Sequence, residues 1–443
     1  MKRNKEIRSI SFLVGLFASY RVHVVGMIGV SELLLNLIAP FVLMKDIGTL
    51  RNTKCMTFVV LAALYCFGAI FSGFANNTPF SAIMRGFATP YTLLSATIVI
   101  RHLLARDMGA LKWCVIGLTM SGLFSYILNG GDISALSDND ATIGMNSAAT
   151  VKMYLSKPFF LAPIKCWYSQ LPWLLSSCIA LFFALFSILI TDSGRSTALV
   201  GFAATGIILL CRKRVDKIRG IGKNFGFYLV ISVIGIFALK WSYSQAAVNG
   251  LLGEKARVKY EAQTRGDTSM VKLLIGGRAD SFVGLLACFD RPITGVGPWA
   301  LDTKGYVYEF FSKYGQQEDF DRLQSSAATR RSMGYFGDPL IPVHSHIVGA
   351  WAWCSIFGLF FWVYVLFMIA ELIRKSFSVV LPWTGFFIVM IPSVLWDVFF
   401  SPLGERVQMA LFLAAILCVR GVKCCAIYPG EDIIKESLRF TKR

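Results

Sequence analysis

Two of the four histidines in the sequence, His344 and His346, stand together in "DPLIPVHSHIVGAWAWC" (338–354), where a long apolar run begins. A neutral imidazole can accept the proton of a hydroxyl group, so a histidine in this setting is a candidate general base. The start of a helix favours the neutral ring, because the helix dipole disfavours positive charge there. An interfacial histidine without a chemical role is the alternative. Residues two apart on a helix face different ways, so we expect only one of the pair to enter a site.

Two arginines have settings that suit an anion. Arg195 lies in "TDSGRSTALVGF" (191–202) between two apolar runs, and Arg278 follows two glycines directly before a predicted helix. A guanidinium is planar, always charged, and can donate two parallel hydrogen bonds to phosphate oxygens. The N–H groups at a helix start add to such an anion site. Both arginines are therefore candidate diphosphate ligands, with anchoring at the membrane interface as the alternative.

The elements that must position these residues are membrane spans. Hydrophobic residues make up 55% of the chain and charged residues 16%, with a mean hydropathy of +0.60, whereas a soluble protein carries about a quarter charged residues. Apolar runs of the length that a bilayer requires are 24–44, 57–75, 81–100, 113–128, 171–191, 225–239, 347–370, 379–400 and 407–419. Weaker candidates, which are short or contain lysine, are 9–20, 146–164 and 196–211. The N-terminus resembles a signal peptide without a cleavage site, so we expect it to be retained.

The net charge of +18 is spread over short basic segments between the apolar runs. These segments are 1–8, 45–54, 101–112, 212–223, 371–376 and the C-terminal tail. Positively charged loops stay in the cytoplasm, and all of these segments fall there if about twelve segments span the membrane. We therefore predict an all-α polytopic membrane protein with about twelve transmembrane helices, or about ten as a fallback, and with both termini in the cytoplasm. No basic soluble domain is present, so nucleic acid is not an expected partner.

This topology divides the chain into transmembrane helices (1–244), one large external loop (245–342), further transmembrane helices (343–422) and a cytoplasmic tail (423–443). The loop holds twelve Lys/Arg and eleven Asp/Glu, so its charge is balanced and it does not act as a sorting signal. Long loops of this kind usually carry function. Helical spacing of Ala279, Phe282, Leu286 and Phe289 predicts a short helix on the membrane face.

Several other functions lack their motifs. The eleven cysteines are scattered without the spacing of a disulfide framework or a zinc site. The sequence contains no phosphate-binding or dinucleotide-binding glycine motif and no nucleophile elbow, so no metal or cofactor is expected. The glycines of "TGVGPW" (294–299) indicate only a tight turn. The absence of an internal repeat counts against a transporter built from inverted halves.

Three segments, in this order, resemble the bacterial O-antigen ligase and Wzy-type polysaccharide polymerase superfamily. They are "DSGRSTALVGFAATG" (192–206), "GGRADSFVGLLACFDRPITGVGPWAL" (276–301) and "VHSHIVGAWAWCSIFGLFF" (343–361). The last is similar to the family's His-Asn start followed by a Gly-x-x-Gly pair, and spacing to Gly358 aligns His344 with the family histidine. Ser345 stands where the family usually has Asn, Ser355 where it has the first Gly, and Trp353 where an acidic residue is common.

The resemblance implies a metal-independent glycosyltransferase at the periplasmic face of the inner membrane. Its donor would be an oligosaccharide on undecaprenyl diphosphate, and its acceptor a sugar hydroxyl. Arg195 and Arg278 would bind the diphosphate, and His344 would deprotonate the acceptor. Asp397 could orient that imidazole or bind the acceptor, and His346 is the alternative base.

Three functions stay open at this point. Polymerisation of an exopolysaccharide, capsule or O-antigen is favoured over ligation of the glycan to lipid A–core. A transporter or flippase of lipid-linked sugars is the alternative outside the family, and it would place ionisable residues near the bilayer midplane rather than at the outer interface. Besides the lipid-linked donor, the acceptor glycan or lipid A–core and membrane lipids, no partner is predicted, and the sequence leaves the oligomeric state open.

Overall fold

The protein is mostly helical in a computed structural model that describes residues 2–23, 27–50, 53–128, 161–190, 195–212, 241, 244–250, 257, 260–261, 279–314, 340–341, 343–376, 383–401 and 406–420. The helices are α1 (Lys2–Leu16), α2 (Val30–Leu50), α3 (Thr53–Ala75), α4 (Phe80–Arg106), α5 (Ala110–Leu128), α6 (Trp173–Ile190), α7 (Arg195–Arg212), α8 (Ala279–Asp290), α9 (Tyr306–Tyr314), α10 (His346–Ser376), α11 (Thr384–Phe400) and α12 (Arg406–Arg420). Residues 161–167 are also helical and continue into a 3-10 turn, Tyr168–Gln170. Two short strands, β1 (Arg21–His23) and β2 (Met27–Gly29), pair antiparallel.

Three of the helical stretches are long enough and apolar enough to cross a membrane. They are Cys55–Ala75, Phe80–Arg106 and His346–Ile373, and several shorter apolar helices accompany them. Large apolar side chains also cover the outside of the bundle: on α2, Leu37, Phe41 and Met44 are each more than 60% exposed. Contiguous apolar surface of this kind suits contact with lipid tails rather than with water.

The predicted spans and the observed helices differ at their boundaries. The run 24–44 does not begin as a helix, because β1 and β2 form first and α2 starts only at Val30. The candidate 9–20 belongs to α1, which begins and ends earlier. The short β-pair is also the one departure from an all-α fold among the named elements. Span 225–239 and most of 146–164 lie outside the described residues, so the count of twelve stays a prediction.

Contacts among loops and helix ends fall into two groups. In one group, Ser345 Oγ donates to the Val398 carbonyl over 2.8 Å, and Arg406 Nε lies 3.0 Å from Glu32 Oε1. The loop after α3 belongs to it as well, since Asn76 Nδ2 donates to the Gly295 carbonyl over 3.1 Å. We call the side of the bundle that holds these contacts the histidine end.

The second group lies at the other end of the long helix α4, which we call the opposite end. There Arg8 Nε donates to Asp107 Oδ2 over 2.6 Å, and Trp383 Nε1 donates to the Met108 carbonyl over 3.1 Å. Since α4 has 27 residues, about 40 Å of helix separates the two groups. The distance is enough to cross a bilayer core of about 30 Å.

Side-chain pairs along α2 and α4 fix their relative direction. Asn36 Nδ2 donates to Thr92 Oγ1 over 3.0 Å, and ten residues farther along both helices Asp46 pairs with His102. The two helices are therefore parallel, and both run from the histidine end to the opposite end. Helix α3 connects the end of α2 to the start of α4, so it runs in the other direction, from the opposite end to the histidine end.

Helices α6 and α7 form an antiparallel hairpin in which Gly201 packs closely against Ala184. Gly385, at the start of α11, lies against Tyr168, which stands five residues before α6 begins. The start of α6 and the start of α11 are therefore at the opposite end. It follows that α7 begins, and α11 finishes, at the histidine end.

Candidate functional site

A small module at the histidine end carries the two histidines that the sequence singled out. It consists of α8, the loop 291–301, α9, the segment 340–345 and the first part of α10. Its own apolar core comprises Val283, Ala287, Cys288, Val296, Tyr306, Val307, Phe310, Ile341, Val343, Val348 and Ala352. Among the predicted helix-face residues of α8, Phe289 is 68% exposed, while Val283 and Ala287 of the other face are buried. The predicted helix is confirmed, and its buried face packs against α10.

Helix α10 is broken, so the predicted span 347–370 is not one straight helix. Cys354 (φ −126°, ψ 27°) and Ser355 (φ 63°, ψ −173°) depart from helical geometry. The two halves fold back on each other, because the rings of His346 and Trp362 are only 4.9 Å apart between centroids. A straight helix would separate residues sixteen apart by about 24 Å. The uninterrupted part, 356–376, is about 31 Å long and is the stretch that can span a membrane.

The loop 291–301 inserts its backbone into this break. In a continuous helix the Ile356 N–H would donate to the Ala352 carbonyl. Instead Ile356 N–H donates to the Ile293 carbonyl over 3.1 Å, and the Ala352 carbonyl accepts from Val296 N–H (2.7 Å) and Gly297 N–H (3.3 Å). Buried backbone groups are costly without partners. The inserted loop therefore satisfies the groups that the break sets free.

Two glycines make this close approach feasible. Gly295 has φ 66°, and a Cβ there would lie 2.4 Å from the Ala352 carbonyl oxygen. A Cβ at Gly358 would lie 2.2 Å from the Ala350 carbonyl oxygen, where the two halves of α10 cross. Ser355, by contrast, holds a backbone conformation that is essentially reserved for glycine. The backbone thus favours glycine at both 355 and 358, and this chain has Ser355 at the first of the two positions.

Ser345 caps the first half of α10. Its hydroxyl donates to the Val398 carbonyl over 2.8 Å and accepts from the Val348 N–H over 3.3 Å, and its own carbonyl accepts from the Gly349 N–H. A serine suits this position for the same reason as asparagine, because both side chains can satisfy an N–H of the first helical turn. The same hydroxyl fastens the histidine segment to the end of α11.

The two histidines have different surroundings. His344 lies one residue before the cap and is exposed, whereas His346 is the first helical residue and is only 5% exposed. Ser281 Oγ of α8 donates to the His344 carbonyl over 3.0 Å, which fixes this residue between α8 and α10. His344 is therefore open to a ligand from outside the module, while His346 packs inside it against Trp362.

The other predicted site residues are distributed around the same end. Arg195 is the first residue of α7, which begins at the histidine end, and its side chain is not described. Asp397 is partly buried near the end of α11, next to the Val398 carbonyl that Ser345 contacts. Arg278 lies outside the described residues and precedes Ser281 by three positions in the sequence.

Three carboxylates at this end are engaged by protein partners. Asp290 accepts from Lys304 Nζ and from the Tyr306 hydroxyl, each over 2.6 Å, and these hydrogen bonds hold the pKa of Asp290 below its ordinary value. Asp302 accepts from the first two N–H groups of α9, over 2.8 and 2.7 Å. Glu32 pairs with Arg406 and accepts from the Gly29 N–H. Protein donors thus occupy oxygens of all three carboxylates.

Sequence reasoning missed three features of the module. These are the inserted loop, the contact of Arg291 with Asn76 across to the α3–α4 loop, and the stacked pair of Trp299 and Trp353, with ring centroids 5.1 Å apart. The glycines of 294–299 were a usable signal, because two glycines so close together also suit the approach of another backbone.

Comparison with known proteins adds no family to this geometry. No family model matches the chain, and no curated protein matches it significantly.

Proposed function

We propose that the protein is a membrane glycosyltransferase that acts at the histidine end of the bundle, facing the periplasm. It transfers an oligosaccharide from undecaprenyl diphosphate to a sugar hydroxyl and so polymerises a surface polysaccharide. One observation carries the proposal: exposed His344 and the starts of α7 and α8 all lie at the histidine end. Arg195 is the first residue of α7, and Arg278 directly precedes α8 in the sequence.

The reaction requires a base and a stabilised leaving group. His344 takes the proton of the acceptor hydroxyl, whose oxygen forms a new bond to the anomeric carbon with inversion. The bond from that carbon to the diphosphate oxygen breaks, and its electrons remain on undecaprenyl diphosphate. Arg195 and Arg278 offset the charge that develops on this leaving group. No step in this scheme needs a metal ion.

The assignment of the base rests on elimination as well as on exposure. Asp290, Asp302 and Glu32, among the described residues of this end, each accept two hydrogen bonds or an ion pair. His346 is enclosed against Trp362. His344 combines an imidazole with access from outside, which is what abstraction of a proton from a bound hydroxyl requires.

The course of the chain supports the predicted topology. Helix α5 finishes at the histidine end, where Ser125 Oγ contacts the Ser19 carbonyl, and the next described segment, 161–170, lies at the opposite end against Lys112 and Gly385. Helix α7 finishes at the opposite end, and α8 lies at the histidine end. Each of these two intervals thus begins at one end of the bundle and finishes at the other, as the spans predicted at 146–164 and 225–239 would require.

A transporter of lipid-linked sugars is the second candidate, because discontinuous helices form the ion and substrate sites of many transporters. The break in α10 is such a discontinuity. Its freed N–H and carbonyl groups, however, bond to Ile293, Val296 and Gly297. Because protein backbone already bonds the Ile356 N–H and the Ala352 carbonyl, these two groups are not offered to an ion, and the observation favours the enzyme.

Deletion of the gene tests the proposal. We expect the strain to lose long polysaccharide chains while single lipid-linked repeats accumulate on the periplasmic side. Loss of all glycan from lipid A with normal chain length would identify a ligase, and accumulation on the cytoplasmic side would identify a flippase. Wild-type protein should restore the polymer, whereas Arg278→Ala and Arg278→Lys should both fail at equal membrane levels, because an ammonium cannot form the paired bonds of a guanidinium.

A further inference from the structure

Trp299 is an exposed tryptophan held by strained backbone. Its side chain is 42% exposed, and its φ of 55° lies in the left-handed region that bulky residues rarely adopt. The residue follows Gly297 and Pro298 in the loop that fills the break of α10. Strained residues of this kind persist where the surrounding structure fixes them, and they cluster at ligand-binding sites.

The ring of Trp299 contacts a second aromatic ring. It stacks on Trp353 with centroids 5.1 Å apart and planes inclined by 23°. Among the residues that the structure describes, Trp299 has this ring contact and no hydrogen bond. Trp383, which also has a positive φ of 63°, differs because its Nε1 donates to the Met108 carbonyl and so joins two loops. The strained backbone at Trp383 accompanies a hydrogen bond between two loops, whereas at Trp299 it accompanies an exposed indole ring.

Both tryptophans are attached to the segment that carries His344. Ala300, next to Trp299, accepts from the Ile341 N–H over 3.0 Å, three residues before the histidine. Trp353 ends the half-helix that Ser345 caps, so about 12 Å of helix separates the cap from the ring pair. The ring pair and the histidine therefore belong to one rigid unit, and their separation is on the scale of a short oligosaccharide.

We propose that the Trp299–Trp353 pair is a sugar-binding platform, on which the apolar face of a pyranose ring stacks against the indole of Trp299. The proposal rests on the proposed function, because it concerns how that site holds its glycan. An indole presents a large rigid apolar face at little conformational cost, which suits it to such contacts. The glycan can be the donor oligosaccharide or the growing acceptor chain, since both offer the same ring chemistry.

Binding of the full-length protein in detergent to an array of defined oligosaccharides tests the platform. Trp299→Gly is the informative variant, because it removes the ring and also relaxes the positive φ, so the fold should not suffer. We expect wild-type protein to bind a subset of glycans, Trp299→Gly to bind them at least about tenfold more weakly, and Trp299→Phe to retain most binding. Trp241→Ala serves as the control, since Trp241 is also exposed (66%).

Undecaprenyl diphosphate without sugar is the second probe, and every one of these variants should bind it as the wild type does. Equal glycan binding by Trp299→Gly and wild type, or no glycan binding by the wild type, would overturn the platform and make Trp299 an interfacial anchor. The deletion phenotype reports on the proposed function independently of this result. In a transfer assay, a raised KM for the donor or for the acceptor in Trp299→Gly would identify which glycan stacks, and unchanged KM values for both would refute the platform.

Discussion

The two ends of the helical bundle are built differently. At the opposite end, short connections are joined by single contacts between side chains and neighbouring loops, such as Arg8 with Asp107 and Trp383 with Met108. At the histidine end, a loop enters a broken helix, Ser355 and Trp299 adopt positive φ, and a serine hydroxyl bonds two helices at once. Of the four described non-glycine residues with positive φ, Asn77, Trp299 and Ser355 lie at the histidine end and Trp383 lies at the opposite end. Backbone strain is thus more frequent where the candidate base is exposed, as expected of a functional end.

The compartment of each end is the first way to break this comparison. Alkaline phosphatase fused after residue 310 should be active, because the module must face the periplasm, and a fusion after residue 218 should be inactive. The expected difference is all or none in colony colour and enzyme assay. The reverse pattern would place the candidate site in the cytoplasm and end the proposed mechanism.

The histidine pair gives the next largest effect. We expect His344→Ala to fold normally and to lose transfer by at least about 100-fold, because the general base is absent. His346→Ala should keep a substantial fraction of transfer but lower the free energy of unfolding by about 2–4 kcal/mol, since it leaves a cavity beside Trp362. Transfer in membranes and thermal unfolding in detergent measure both. A folded His344→Ala protein that still transfers glycan would rule out this base.

The ion pairs of the two ends should also differ in strength. Glu32 is 5% exposed at its side chain, so Arg406→Ala leaves a buried charge without its partner and should cost about 3–5 kcal/mol. Asp107 is almost as buried, at 8%, but its partner Arg8 is 44% exposed against 15% for Arg406, so water can take the place of this guanidinium and Arg8→Ala should cost less, about 1 kcal/mol. Denaturant unfolding of both variants in the same detergent makes the comparison. Equal losses would show that burial of the pair at the histidine end has no energetic consequence.

Insertion of the loop into α10 can be tested at Gly295. An alanine there would collide with the Ala352 carbonyl, so Gly295→Ala should destabilise the module by about 1–3 kcal/mol. Gly206 of α7 has open space around it, and Gly206→Ala should stabilise by about 0.5–1 kcal/mol. Hydrogen exchange at 346–356 would report the loss locally. Unchanged exchange in Gly295→Ala would contradict the insertion.

A small gain of stability is expected at the break itself. Ser355→Gly relaxes the positive φ at the break and loses only a long contact of 3.4 Å from the Phe357 N–H to the Ser355 hydroxyl. We expect a gain of about 1 kcal/mol in the free energy of unfolding. Ser355→Ala keeps the strain and should show no gain. A loss in Ser355→Gly would mean that the hydroxyl matters more than the backbone.

Much of the helical fold could be predicted, because apolar runs such as 57–75 and 81–100 are long and have basic ends. The break in α10 could not, since it depends on bonds to residues about sixty positions earlier in the chain. Within 347–370 the local sequence is uniformly apolar, which predicts one continuous span. The delayed start of α2 depends likewise on pairing between β1 and β2.

The candidate site divides in the same way. The preference for His344 came from its spacing to Gly358, which aligns it with the histidine of the superfamily that the sequence resembles, and it stays a prediction. His344 is exposed and His346 is buried. The partner that encloses His346 was unpredictable, because Trp362 reaches it only after the chain reverses at Ser355. Trp299 was overlooked because nothing in the local sequence indicates a left-handed tryptophan.

The filled break in α10 sets an order of events during biogenesis. Ile293 and Val296 are synthesised before Ala352 and Ile356, yet their bonds can form only after the chain of α10 has left the ribosome. Contacts between segments so far apart carry a high loop-closure cost and form late. Until then, Ala352 and Ile356 are free to bond to each other in a straight helix. The newly made protein must therefore bend this helix, and admit the loop 291–301, before His344 reaches its final position.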